Sequence, residues 1–205
     1  MSTRYVESLL FCAVLTVAGC GSTGRDDHAK HADAKGSNGA PVVEVDRKSE
    51  ALFEQALDAI RAERFTEAES LLKELTTRDP GLSGPWVNLG SVYEALGDNE
   101  SAEKAYKKAI DANPNNCAAY VDLGVLSRRA GDFLSAESNY LACAQRVPNF
   151  PEAYLNLGIL YELYLGRLDD ALKAYQTYQT LTTTPDLRVA GWVSDLERRL
   201  AGNES

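Results

Sequence analysis

Three prolines set the frame of this chain. Pro80, Pro114 and Pro148 stand 34 residues apart, with no insertion or deletion between them. Units counted on that period begin at 49, 83, 117 and 151. A period of this length accommodates two short helices and their connections, and a chain built from such units can bury the apolar face of each only against its neighbours.

The second unit shows the local pattern most plainly. Trp86, Leu89, Gly90 and Tyr93 fall at i, i+3, i+4 and i+7, which is one stripe of an α-helix; Ala102, Tyr106 and Ala109 form a second stripe of the same period. Between them lies Gly97-Asp98. The glycine can take the left-handed conformation that ends a helix, and the aspartate can cap the next one. The result is a helical hairpin, with Gly90 and Ala102 small enough to let the two backbones approach.

These residues, closed by Pro114, resemble the tetratricopeptide repeat, whose pattern asks for Trp, Leu, Gly and Tyr on a first helix and Ala, an aromatic, Ala and Pro on a second. The third unit follows with Tyr120, Leu123, Gly124, Ala136, Tyr140 and Pro148, departing at Ser127, where a large aromatic is usual, and at Cys143, where alanine is usual. The first unit is degenerate (Leu52, Gln55, Ala56, Ala59, then Ala68, Leu72, Leu75), as terminal repeats commonly are. The fourth, 151–185, opens well on Tyr154, Leu157, Gly158 and Tyr161 but carries one extra residue before Gly166. Val189, Val193, Leu196 and Leu200 then form a stripe that predicts a capping helix over 186–201. The resemblance implies an all-α, right-handed superhelical solenoid across residues 49–201: repeats 49–82, 83–116, 117–150 and 151–185, plus that cap.

Upstream the composition changes. Residues 1–19 carry Arg4 and then an apolar run ending in Val17-Ala18-Gly19, the layout of a secretory signal peptide. With Cys20 they resemble a bacterial lipobox, which implies removal of 1–19, acylation of Cys20 (a palmitate-bearing lipoprotein) and stable attachment to a membrane by acyl chains. Gly21 after the cysteine resembles lipoproteins sorted to the outer membrane, with the folded part facing the periplasm. Residues 20–48, rich in Gly, Ser, Asp, Lys and Ala, read as a flexible tether, with a reach on the order of 30 Å. His28 and His31 lie in it beside Asp26, Asp27 and Asp33 and read as linker residues rather than metal ligands.

The formal net charge is −9. Such a surface repels phosphates, which disfavours nucleic acid and favours basic partners. No histidine falls within 49–201, so no Ser/His or Cys/His pair can form there, and no Gly-rich phosphate loop, CxxC or HExxH occurs. The carboxylates at Glu67, Glu69, Glu100, Glu103 and Glu137 read as a solvated outer face. No cofactor, no metal, no small-molecule substrate and no enzymatic activity are expected. Cys117 and Cys143 occupy the first and twenty-seventh positions of the third unit, where an antiparallel hairpin brings its two ends together. Either a disulfide or a pair of buried thiols fits.

What remains is binding. In the family it resembles, the first helix of each repeat lines a concave groove that holds a partner peptide. The register places Val87, Asn88, Ser91 and Glu94 there from the second unit, Val121, Asp122, Val125, Arg128 and Arg129 from the third, and Leu155, Asn156, Ile159 and Glu162 from the fourth. The Lys/Asn/Arg clamp that grips a C-terminal carboxylate in part of that family is missing, with Asp122 standing at one of its Asn positions. The expected role is a non-catalytic scaffold, lipid-anchored in the bacterial envelope, that assembles or positions envelope proteins. The rival expectation is an accessory subunit of an energised trans-envelope complex, TonB-like or part of pilus or motility machinery; an enzyme with an unrecognised site is the weaker one.

Overall fold

A computed structural model describes residues 46–203. The leader, the acylation position Cys20, and residues 20–45 with His28 and His31 lie outside them. Among the described residues there are nine α-helices: α1 Arg47–Arg61, α2 Phe65–Arg78, α3 Ser83–Ala95, α4 Asn99–Ala112, α5 Cys117–Arg129, α6 Phe133–Arg146, α7 Pro151–Leu163, α8 Leu168–Leu181 and α9 Leu187–Asn203. They pair as α1/α2, α3/α4, α5/α6 and α7/α8, each pair packing on the next, with α9 on α8.

The capping chemistry explains where helices start. Asp46 accepts from the backbone N–H groups of Lys48 and Ser49, so α1 begins at Arg47, two residues ahead of the unit boundary. The residues through Lys48 are thus not all tether. Asp98 and Asp132 cap α4 and α6 by accepting from Ser101 and Ser135. At the corresponding places before α2 and α8 stand Arg64 and Arg167, which instead pair with Glu67 and Asp170 one turn on. Gly97, Gly131 and Gly166 take positive φ between the helices of their repeats. In the first repeat that place falls to Glu63, at φ 57°, a conformation costing a side-chain-bearing residue about 1 kcal/mol. The extra residue of the fourth turn is absorbed before α8, which starts 35 residues after α6 instead of 34.

The interior of each hairpin differs from the expectation of close backbone approach at Gly90. A Cβ built on Gly90 would come within 2.4 Å of the Tyr106 ring; Gly124 meets Tyr140 at 2.4 Å, and Gly158 meets Tyr175 at 2.4 Å. The glycine makes room for a tyrosine ring of the second helix, not for a backbone. Where the first repeat has Ala56 in place of glycine, its partner is the smaller Leu72, both fully buried. The pair is exchanged as a unit, so packing volume is conserved.

The tyrosine hydroxyls need partners once buried. Tyr106 donates to Glu94 at 2.6 Å and Tyr175 to Glu162 at 3.1 Å, while Arg128 donates to the Tyr140 oxygen at 3.4 Å. Glu94, Arg128 and Glu162 share one repeat position; in the first repeat, where leucine has no hydroxyl, that position is Ile60. Cys117 and Cys143 are joined as a disulfide with 4.9 Å between their Cα atoms, tying the start of α5 to the end of α6. Val189 and Leu196 of α9 are buried and close the last apolar edge, and the Trp192 ring lies 5.4 Å from that of Tyr175.

Candidate functional site

The first helices of successive repeats touch: α3 packs on α5 and α5 on α7, contacts beyond those each makes with its own partner helix. That arrangement makes the exposed sides of α3, α5 and α7 neighbours along one face, where the repeat register puts the groove. Most side chains placed there by sequence are already engaged.

The aliphatic ones serve the fold. Val121 is 8 % exposed and belongs to the core, a correction to its place in the groove. Val87, Val125, Leu155 and Ile159 are half-buried and pack against the core clusters at the helix contacts. Asn88 and Asn156 each donate a side-chain N–H to a carbonyl of their own helix, Gly84 and Glu152 respectively, at 3.0 and 2.8 Å. Ser91 is exposed, and its hydroxyl donates to the Val87 carbonyl at 3.2 Å.

The charged ones link repeats. Besides binding Tyr106, Glu94 pairs with Arg129 of the next repeat. Arg128 reaches forward to the Tyr164 hydroxyl at 3.1 Å, with its guanidinium 5.3 Å from that ring's centre. Glu162 pairs with Arg199 of α9 at 3.0 Å. So Glu94, Arg128, Arg129 and Glu162 form a ladder along the first helices from α3 to α9 instead of standing free for a ligand. The outer-face reading likewise needs amendment at Glu137, whose carboxylate is largely covered and bound by Arg167 at 2.7 Å. Glu69, Glu100 and Glu103 pair with Lys73, Lys104 and Lys107 one turn along their own helices, each at 2.5 Å.

Asp122 is the exception. It stands at the repeat position of Asn88 and Asn156 but, as a carboxylate, has no N–H to give its own helix. Its carboxylate makes no hydrogen bond or ion pair among the described residues. Burial and the nearby Glu94 carboxylate push its pKa up to about 7. Tyr106, whose phenol is held far above its ordinary range by burial and by Asp122 itself, lies on the same side. The Asp122 carboxylate thus lacks the bond that Asn88 and Asn156 make to their own helices. Sequence reasoning placed Asp122 in the groove; what singles it out, the lack of any partner, requires the three-dimensional neighbours.

Comparison with known families agrees with the helix pairing. Models described as tetratricopeptide repeat match residues 84–116, 105–138 and 152–181. Among solved structures, TTC0263, a thermophilic TPR protein of Thermus thermophilus, is similar at 25 % identity over 73 % of this chain and 81 % of that one, with a TM-score of 0.62. PilF of Pseudomonas aeruginosa is similar at 18 % identity over 75 % and 69 %, TM-score 0.66. MamA of Desulfovibrio magneticus RS-1 is similar at 20 % identity over 76 % and 87 %, TM-score 0.62. The last two likenesses concern the fold alone. No curated protein matches the sequence. Proteins of this kind generally mediate protein–protein contacts and generally lack catalysis. The helix array of residues 47–203 makes this chain a member of the tetratricopeptide-repeat family.

Proposed function

We propose that this chain is a non-catalytic scaffold, lipid-anchored through Cys20 in the bacterial envelope, that holds a cationic segment of a protein partner on its inner face. The observation that carries the binding half is Asp122: a carboxylate with no hydrogen bond or ion pair among the described residues, on a face where Asn88, Glu94, Arg128, Asn156 and Glu162 are all engaged within the fold. A lysine or arginine of an extended peptide supplies Asp122 with a donor and a compensating charge. The net charge of −9 steers such a partner toward the surface. The anchor half rests on the apolar leader ending in Val17-Ala18-Gly19-Cys20.

One experiment addresses both halves. A photo-cross-linking amino acid at exposed Ser91 captures the partner in cells, and Asp122→Lys abolishes that capture while leaving the protein folded. Capture undiminished by Asp122→Lys removes the cationic-peptide reading. Fractionation of the same cells locates the anchor: Cys20→Ser shifts the protein from membrane to soluble periplasmic fractions, and unaltered membrane association argues against acylation.

A further inference from the structure

A second surface adjoins the inner face and shares Arg129 with it. Between α4, α5 and α6, on the side of the array where the turns within repeats lie, a cavity of about 520 Å³ opens to solvent. Its floor is Leu123 and Leu126; Ser127 and Ala130 form one wall, Asn99 another. This is the junction of the second and third repeats, and the equivalent positions carry larger side chains at the junctions on either side of it.

At the third-to-fourth junction, Tyr161 occupies the place of Ser127, its ring 4.3 Å from the Arg167 guanidinium. Tyr164 occupies the place of Ala130 and packs on Phe133, which occupies the place of Asn99, with ring centres 5.1 Å apart. At the first-to-second junction the same three places hold Tyr93, Leu96 and Phe65, with the Lys73 ammonium 5.6 Å from the Tyr93 ring centre. Two aromatics and one further large side chain have thus been replaced together by Asn, Ser and Ala in the middle junction alone of these three. The polar half of the arrangement is retained. Glu103 and Lys107, paired at 2.5 Å, line the cavity at the places of Glu69 and Lys73.

From this we infer that the cleft between α4, α5 and α6 receives a tyrosine side chain from a separate protein partner. The chain shows twice what fits there: a phenol ring among the apolar residues of the first helix, Leu89 and Val92 or Leu157 and Leu160, with a cation over its face that is paired to a carboxylate. A ring entering beside Ser127 would rest on Leu123 and Leu126 and bring its hydroxyl toward Glu103 and Lys107. Buried aromatic anchors of this size dominate recognition between proteins. If cleavage at Cys20 occurs as proposed above, the remaining extension, residues 20–45, supplies no such ring, since it contains no Phe, Tyr or Trp.

The test is a titration of the ¹⁵N-labelled full chain with N-acetyl-tyrosinamide, with N-acetyl-alaninamide as control. Saturable amide shifts confined to Leu123, Leu126, Ser127 and Asn139 are expected, with a Kd of about 1 mM, the range open to so small a ligand. The control produces none. Ser127→Tyr restores the residue of the flanking junctions, so it raises Tm by a few degrees and abolishes the shifts. Equal response to the alanine probe, shifts that persist in Ser127→Tyr, or a lowered Tm for that variant would each overturn the proposal. Concentration-dependent dimerisation lost in Ser127→Tyr would also overturn it, by giving the cleft to a second copy of this chain.

Discussion

At the scale of single residues, the array repeats relationships more faithfully than it repeats letters. Gly90, Tyr106 and Glu94 are replaced in the first repeat by Ala56, Leu72 and Ile60, so loss of the ring brings loss of both the glycine and the polar partner. Gly90→Ala alone forces a methyl group into the Tyr106 ring and destabilises by about 1–3 kcal/mol. Tyr106→Leu alone leaves an unfilled space and strips Glu94 of a donor. The two together recreate the first repeat's pair, and chemical denaturation of the four proteins gives a favourable coupling of at least about 1 kcal/mol; strict additivity would refute the exchange. Little of this was legible beforehand. The spacing of Gly90 and Tyr106 reveals that both face inward on their helices, but whether a glycine admits a backbone or a ring depends on how far the helices stand apart, which the sequence of one hairpin does not state.

At the scale of elements, helices and turns were the legible part, because each is dictated locally. Asp98, Asp132, Gly97 and Gly131 mark their own turns, and the extra residue before Gly166 shows directly as a one-residue delay of α8. The groove was less legible. Register alone cannot tell a half-buried Val87 or a Tyr-bound Glu94 from a side chain free to meet a ligand, since both project from the same helical face. The α5/α6 hairpin carries the one covalent staple among the described residues, closing a loop of 26 residues in sequence separation. Cys117→Ser with Cys143→Ala installs the residues the second repeat uses, Ser83 and Ala109, and so introduces no foreign packing. This variant is expected to lose about 3 kcal/mol, most visibly as faster amide exchange in α5 and α6. An unchanged unfolding midpoint would show that the hairpin gains nothing from the bond.

For the molecule as a whole, nearest-neighbour packing makes stability a sum over repeats and junctions, so a defect at one junction registers in global unfolding. Asp122 provides such a defect that pH controls. Its folded-state pKa of about 7 lies above the ordinary carboxylate value of 3.8. The folded chain therefore binds this proton more tightly than the unfolded chain. Its stabilising contribution is complete below pH 4 and disappears as the pH rises to 7 and beyond. Asp122→Asn removes that slope and lets the side chain bond its own helix as Asn88 and Asn156 do. At pH 8 the variant should be more stable by about 2 kcal/mol, a discounted value because the carboxylate keeps some contact with water. Denaturant midpoints at pH 5 and pH 8 measure it, and parallel pH slopes for both proteins would refute it. The Cys117–Cys143 bond, finally, decides what a protease leaves behind. The exposed turn after Arg129 lies inside the loop it closes, so a cut there yields two fragments that stay covalently joined and stacked in place. The damage then shows only when the sulfurs are reduced.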